Sequence, residues 1–313
     1  MSLQLDIKSR SKSIKSVSTD EFSPISFTND VIELISKESG LTKNRIRLTV
    51  EQDGKRVPLE INKQLKVYNI TGDTELQVKD LGPQISWRGV YLVEYLGPIV
   101  LHSVFFYGFR SFFGDFKITT TQLVLYNLSL LHFTKREYET LFVHKFSNAT
   151  MPVSNIFKNC GHYWLLNGVM CSVFVYGPPF LHHSKNPIVR LLFRTNDLSA
   201  DWVILLSLVF VFFEGANYVT HRNLSLIRER DPKNYQIPYG FGFNWVTCPN
   251  YFFEVMAFLT LGVMSGNWSY FVFILVGGVQ MYVWAVGKHK RYLKTFGNEY
   301  RKLNRKVMIP YLL

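Results

Sequence analysis

The sequence from Trp202 to Val219 is WVILLSLVFVFFEGANYV, a run in which Glu214 is the one charged residue. Its length and hydropathy approach the roughly 20 apolar residues that an α-helix needs to cross a bilayer. Further apolar runs occur at Val90–Phe109, Ile118–Phe133, Tyr163–Phe180, Tyr251–Met264 and Ser269–Val286. We therefore predict an α-helical polytopic membrane domain of about six transmembrane helices over residues 89–313.

Charge is distributed unevenly along the 313-residue chain. Residues 1–80 contain 13 basic and 12 acidic residues, a balanced composition, whereas the remainder contains 22 basic and 11 acidic residues. The loops 135–160 and 221–248 and the tail 288–313 contain 16 Lys and Arg, but the loops 109–117 and 181–200 contain five. By the positive-inside rule both termini should face the cytosol. The basic residues alternate with apolar runs and form no single face, so nucleic acid is not an expected partner.

The first 80 residues predict a separate small α+β domain. Alternating residues indicate strands at Leu3–Ile7, around Ile14–Val17, at Ile46–Glu51 and at Glu75–Val78. A helix is expected at Asn29–Ser39, capped by Thr28 or Asn29, and a turn at Asp53-Gly54. This order favours a ubiquitin-like β-grasp domain on the cytosolic side, because the polar N-terminus predicts no cleavable signal peptide. Residues 81–88 are expected to be a linker into the membrane.

Three cysteines, Cys160, Cys171 and Cys248, show neither a CxxC spacing nor an even-numbered framework. We therefore expect no structural disulfide and no metal site.

Carboxylates inside apolar spans are costly, so each needs a partner or a chemical role. The residues concerned are Glu94, Glu214 and Glu254. The structural alternative is that each one pairs with a cation or a backbone donor and ties two helices together.

Two basic segments could hold phosphate groups. One is the loop 221–250, which contains His221, Arg228 and Tyr235, and the other is the tail from Lys288. The alternatives are a solvated basic loop at the membrane surface and simple positive-inside anchoring of the tail.

Six stretches of the sequence stand out, namely Val93–Pro98, Leu131–Ser147, Thr150–Pro152, Asn155–Asn159, Cys248–Tyr251 and Gly287–His289. They resemble motifs of the very-long-chain trans-2-enoyl-CoA reductases, within the steroid 5α-reductase superfamily, and the resemblance covers essentially the whole chain. It implies NADPH-dependent reduction of a trans-2-enoyl-CoA to the saturated acyl-CoA, the last step of fatty-acid elongation in the endoplasmic reticulum. Other elongation enzymes are then expected as partners.

The resemblance also implies site residues. The catalytic positions match Tyr251, as proton donor, and Glu94, which donates or holds Tyr251 in line. The cofactor positions fall on Asn217, His221, Arg228, Tyr235, Asn250, Glu254, His289, Tyr292 and Arg305. His221 stands where steroid reductases have an aspartate, and Lys288 stands near a histidine of those enzymes.

Three other functions remain open at this point. A steroid or other enone reductase of the same superfamily would share the site. A membrane-anchored ubiquitin-like adaptor would explain residues 1–80 but not the polar residues between 217 and 254. A transporter should show internal repeats, and the sequence has no visible repeat.

Overall fold

The computed structural model describes residues 2–70, 74–146, 149–231 and 234–312. The chain divides into two compact units. One consists of Met1–Trp87 with Asn148–Asn155, and the other of Arg88–Ser147 with Ile156–Leu313.

The N-terminal unit is built on a five-stranded sheet of order β2-β1-β5-β3-β4, in which β1 and β5 are parallel. Its elements are β1 Leu3–Ser9, β2 Val17–Phe22, α1 Thr28–Ser39, β3 Ile46–Gln52, β4 Lys55–Pro58 and β5 Glu75–Asp80. Alternate residues of β1, namely Leu3, Leu5 and Ile7, are buried in one core with Val31 and Ile35 of α1. The period-2 and helical patterns of the sequence therefore both serve one apolar core.

Two local predictions in this unit are wrong. The second strand begins at Val17, and Ile14 lies in the preceding turn, where its amide donates to the Ser11 carbonyl and its side chain is buried. The N-cap of α1 is Phe27, because the Asp30 carboxylate accepts the Phe27 amide at 2.9 Å and so caps the helix from its third residue.

A second, two-stranded sheet pairs β6 Gln84–Ser86 with β7 Thr150–Pro152 in antiparallel orientation. The segment predicted as a linker therefore contains a strand. Its partner comes from a part of the chain more than sixty residues away, which a local pattern does not reveal.

The second unit is helical. Its helices are α2 Trp87–Phe113, α3 Thr120–Tyr138, α4 Ser154–Cys160, α5 Ser172–Tyr176, α6 Pro179–His182, α7 Pro187–Phe193, α8 Ala200–Arg230, α9 Pro249–Ser265, α10 Trp268–Phe296 and α11 Asn298–Arg301, with π-helical segments at Glu139–Val143 and Gly161–Cys171. In the part of the chain that the structure describes, α2, α8 and α10 are long and apolar enough to cross a membrane. The remaining predicted spans fall on α3, on the helical stretch 154–176 and on the 17-residue α9.

A proline, Pro98, lies inside α2 one helical turn after Glu94, a predicted catalytic residue. Pro98 has no amide hydrogen to bond the carbonyl one turn earlier, at Glu94, and its ring crowds that carbonyl. The indole of Trp164 donates to the neighbouring Val93 carbonyl at 3.0 Å. Gly97 makes this approach possible, because a Cβ there would come within 2.0 Å of the Trp164 ring.

We predict that Gly97→Ala destabilises the helical unit by about 1–3 kcal/mol, the usual cost of overpacking. The added methyl must push Trp164 away from the Val93 carbonyl. The apparent unfolding temperature of the detergent-purified protein measures this. Gly108→Ala is the matched control. Gly108 lies in the same helix, and a Cβ added there would meet no other residue's atoms within 4 Å, so this substitution should be neutral or slightly stabilising. Equal effects of the two substitutions would contradict the packing argument.

Candidate active site

A buried arginine lies at the centre of the polar residues near the C-terminal end of α3. Arg136 Nη2 donates to the Tyr95 hydroxyl at 2.7 Å, and its guanidinium lies 4.9 Å from the centre of the same ring. Arg136 Nη1 donates to Glu139 Oε2 at 2.6 Å. His221 Nδ1 lies 3.0 Å from the same carboxylate oxygen. With its proton on Nδ1, His221 also donates to Glu139, so one carboxylate accepts hydrogen bonds from both groups.

A second set of polar contacts ties α3 to α8 and α9. Glu214 pairs with His132 Nδ1 at 2.7 Å and with Lys135 Nζ at 3.0 Å. Lys135 also donates to the Asn217 side-chain oxygen, and the Asn217 amide donates to the Asn250 carbonyl at 2.8 Å. Glu214 therefore fits the structural alternative, in which an acid within a span pairs with cations and ties two helices together.

These contacts border a cavity of about 240 Å³. Its lining is rich in cations and imidazoles, and Glu254 is the one carboxylate among the described residues that line it. The lining residues are Tyr91, Arg136, His144, Lys145, Phe146, His221, Leu224, Ser225, Arg228, Asn250, Tyr251, Glu254 and Lys288. Such a surface favours an anionic ligand.

Five of the predicted site residues line this cavity: His221, Arg228, Asn250, Tyr251 and Glu254. The phenol of Tyr251 has no hydrogen bond to any residue within the four ranges that the structure describes. Its ring packs 6.3 Å from Trp284. Among the described residues, the side-chain oxygen of Asn250 is buried and has no hydrogen-bond partner.

Glu94 is buried in α2 and is not among the residues that line the cavity. Its Oε2 atom is buried and has no hydrogen-bond partner in the described part of the chain. Arg136 and Glu254 lie within electrostatic range of the carboxyl of Glu94 and also of the phenol of Tyr251. The two residues that the resemblance marks as catalytic therefore interact with the same pair of charges.

Four other predicted cofactor residues, Tyr235, His289, Tyr292 and Arg305, belong to an aromatic group around the end of α10. Tyr235 stacks on Tyr292, with ring centres 4.9 Å apart. The Arg305 guanidinium lies 5.1 Å from the Tyr239 ring and 5.8 Å from the Tyr300 ring. Two nitrogens of Arg305, Nε and Nη1, are buried and have no partner among the described residues.

His289 belongs to this aromatic group through hydrogen bonds. Its Nδ1 lies 2.6 Å from the Thr247 hydroxyl, which is 2.7 Å from the Tyr300 hydroxyl. Lys288, the preceding residue, lines the cavity. The end of α10 thus contributes to both the cavity and the aromatic group.

The sequence patterns predicted no catalytic or binding role for Arg136, Glu139, His144 or Lys145. A signal was present, because Arg136 and Glu139 are spaced i,i+3 directly after the second predicted span. Burial would raise the pKa of the Glu139 carboxyl, but the adjacent His221 and Arg136 hold it below its usual range. Burial, together with the charge of Arg136, lowers the pKa of His144 to about 3, so its imidazole is neutral near pH 7.

Glu139, His144 and His221 also have ligand atoms within 4.8 Å of one another, a spacing that could suit a divalent ion. Arg136 already bonds Glu139 and contacts His221 Nδ1 at 3.1 Å. A metal ion would have to displace this buried guanidinium, so the local charge favours an anion near the cluster over a cation.

Comparison with known proteins gives a consistent result. Residues 149–313 match the family described as 3-oxo-5-alpha-steroid 4-dehydrogenase. The "Very-long-chain enoyl-CoA reductase" of Dictyostelium discoideum is 35% identical over 99% of this chain and 100% of its own length. A "Putative enoyl reductase" of Schizosaccharomyces pombe is 37% identical over 99% of this chain and 100% of its own. A "Probable very-long-chain enoyl-CoA reductase" of Caenorhabditis elegans is 33% identical over 90% and 89% of the two chains.

We predict that Glu139→Gln destabilises the protein by about 3–5 kcal/mol, since it leaves the buried Arg136 without its counter-charge. The apparent unfolding temperature in detergent should fall by several degrees. Glu137→Gln is the control, because it makes the same side-chain change two residues earlier, at a position outside the ion pairs of the described residues. A Glu139→Gln protein as stable as the control would show that the pair contributes little.

Proposed function

The chain belongs to the very-long-chain enoyl-CoA reductases, and from this premise we propose that it reduces a very-long-chain trans-2-enoyl-CoA to the saturated acyl-CoA with NADPH. In a cell this is the final step of fatty-acid elongation. The observation that carries the proposal is the cation-rich cavity, which Tyr251 and Glu254 line and whose charges also act on the buried Glu94.

The residues around the site fit NADPH. Its phosphates are anionic, and Arg228 and Lys288 line the cavity. The buried guanidinium of Arg305 retains two nitrogens without partners in the described chain, which suits a further phosphate. Tyr235 offers a stacked aromatic face beside it. NADPH, when bound, supplies the hydride for the reduction.

Further residues would complete the cofactor site in this proposal. Asn250 has an unpaired side-chain oxygen that can accept a hydrogen bond from the cofactor. Asn217 holds the Asn250 backbone in place through its carbonyl. His221 and Glu254 line the cavity, and His289 and Tyr292 support the aromatic group.

Tyr251 is the proposed proton donor. Reduction at the carbon β to the thioester places negative charge on the thioester oxygen, and a proton must then reach the α-carbon. The Tyr251 hydroxyl is free of hydrogen bonds to the described residues and lines the cavity, so it can donate to the substrate. Arg136 and Lys288 line the same cavity and would stabilise the developing oxyanion.

Glu94 is the second proposed catalytic residue. One oxygen of its carboxyl, Oε2, is buried and has no partner among the described residues. An acid with a free oxygen in an apolar environment can hold a proton for transfer or keep a phenol in line. Tyr91 lines the cavity one helical turn before Glu94 and lies within electrostatic range of it. In this proposal Tyr91 links Glu94 to Tyr251.

The membrane arrangement is also part of the proposal. Six spans in the endoplasmic reticulum, with both termini and the active site in the cytosol, would let the acyl chain lie among the helices while CoA and NADPH enter from water. The distribution of Lys and Arg supports this orientation. The N-terminal unit would be a ubiquitin-like β-grasp domain, which its strand order supports, and a docking surface for other elongation enzymes.

A steroid or other enone could use the same proton donor and cofactor site. Very-long-chain enoyl-CoA is preferred because the relatives that match nearly the whole chain carry that activity in their names. An adaptor or a transporter should bind no NADPH.

We predict that Tyr251→Phe lowers the turnover of a very-long-chain trans-2-enoyl-CoA by about 100-fold or more, the usual contribution of a general acid. NADPH consumption by the detergent-purified protein measures this, and the apparent Kd for NADPH should stay within about twofold. Tyr282→Phe is the control, since Tyr282 packs in the same apolar cluster but does not line the cavity. Turnover near the wild-type value in Tyr251→Phe would remove this residue from the mechanism.

We also predict that Arg305→Gln weakens NADPH binding about tenfold, the effect of losing one charge-assisted phosphate contact. Binding of NADH, which lacks the 2′-phosphate, should change little. Titration of both nucleotides by intrinsic fluorescence tests this. Arg301→Gln, an exposed cation four residues earlier, is the control. Equal losses for NADPH and NADH would rule out a contact between Arg305 and the 2′-phosphate.

A further inference from the structure

A second and larger cavity lies at the opposite end of α3 from the candidate active site. Its volume is about 800 Å³, within the range of small-molecule sites. Gln122, in the first turn of α3, lines it, whereas Arg136 near the end of the same helix lines the first cavity. Fourteen residues of α-helix separate these positions by about 20 Å. The second cavity, here called the Arg194 cavity, is therefore distinct from the proposed reaction site.

Polar side chains in the wall of the Arg194 cavity already bond the backbone. Gln122 Nε2 donates to the Val175 carbonyl at 2.8 Å, and the Thr195 hydroxyl donates to the same carbonyl at 3.4 Å. The amide of Asn196 donates to the Val263 carbonyl at 3.3 Å. These contacts fix the wall and leave its charged residues to meet a ligand.

The charged residues of this cavity are mainly cations. Arg190 and Arg194 both line it, four residues apart at the end of α7. Neither guanidinium has an ion pair or a side-chain hydrogen bond with any residue that the structure describes. His182 also lines the cavity, and its Nε2 has no partner in the same described ranges. Asp197 is the one acid among the described residues that line the cavity, so their net charge is positive.

The two short helices that line the Arg194 cavity carry exposed apolar side chains next to its lining residues, here called the apolar rim. Phe180, Ile188 and Leu191 are 58%, 67% and 64% exposed, and Leu191 also lines the cavity. These residues lie on α6 and α7, helices of four and seven residues that are too short to span a bilayer. Short helices with exposed apolar side chains beside free cations are typical of a membrane–water interface.

We propose that the Arg194 cavity binds the phosphate headgroup of an anionic glycerophospholipid. Arg190 and Arg194 meet the phosphate, and the acyl chains cover Phe180, Ile188 and Leu191. Guanidinium groups match phosphate oxygens in geometry and charge. A free phosphate ion would satisfy the arginines but would leave the apolar rim in water, and this difference favours a lipid.

Native mass spectrometry of the full-length protein tests this proposal. Protein released from nanodiscs of phosphatidylglycerol should retain bound lipid, whereas nanodiscs of phosphatidylcholine with the same chains should give little. Arg190→Gln and Arg194→Gln should each reduce the phosphatidylglycerol adduct about fivefold, because each removes a charge-assisted contact. Lys185→Gln is the matched control, since it removes one charge from the same exposed segment outside the cavity, and it should retain the adduct.

Arg194→Lys, which keeps the charge but loses the planar fork, should show an intermediate loss. Reductase turnover should stay within about twofold of wild type in these variants, because the Arg194 cavity lies far from the proposed reaction site. This readout also shows that the variants are folded.

Three outcomes would overturn the proposal. One is equal adducts in Arg194→Gln and wild type, and another is equal retention of the two lipids. The third is loss of the lipid adduct in millimolar inorganic phosphate with a phosphate adduct in its place, which would identify an anion site without lipid selectivity.

Discussion

The structure of the helical unit depends on the buried pairing of Arg136 with Glu139. A guanidinium among apolar helices would carry a large desolvation penalty, and a carboxylate three residues along the same chain offsets it at 2.6 Å. The same carboxylate accepts a hydrogen bond from His221 of α8, and the Tyr95 hydroxyl of α2 accepts one from Arg136. One ion pair therefore sets the positions of three helices at the edge of the cavity.

This arrangement determines what the cavity can bind. Glu139 neutralises Arg136 within the protein, but Lys145, Arg228 and Lys288 line the cavity without an ion pair to any acid of the described residues. The excess positive charge is left for a ligand, and this suits nucleotide and CoA phosphates. In the proposed mechanism Tyr251, which lines the same cavity, adds the proton that a reductase requires.

Local sequence rules accounted for much of the fold and for part of the site. The helix of the N-terminal unit, three of its strands and the turn with positive φ at Asp53 and Gly54 occur where the pattern predicted them, within two residues. The turn at Ile14 and the cap at Phe27 were missed. Burial of an apolar residue in a turn and capping by the Asp30 carboxylate depend on specific contacts, which the alternation of a strand and the period of a helix do not show. Glu214 was identified as an acid that needs a partner, but the sequence gave no means of choosing between pairing and catalysis.

The sequence by itself determined where the apolar helices lie, which acids are costly within them, and which motifs resemble a reductase. These are properties of neighbouring residues, and hydropathy and motif spacing report them directly. The tertiary structure decided that Arg136 and His221, 85 residues apart, meet at the Glu139 carboxylate, and that most of the predicted cofactor residues fall into a cavity group and an aromatic group. Such pairings depend on how the helices pack against one another. The spacing of residues along one helix cannot reveal them, because many buried cations could pair with many buried acids and only packing decides which ones meet.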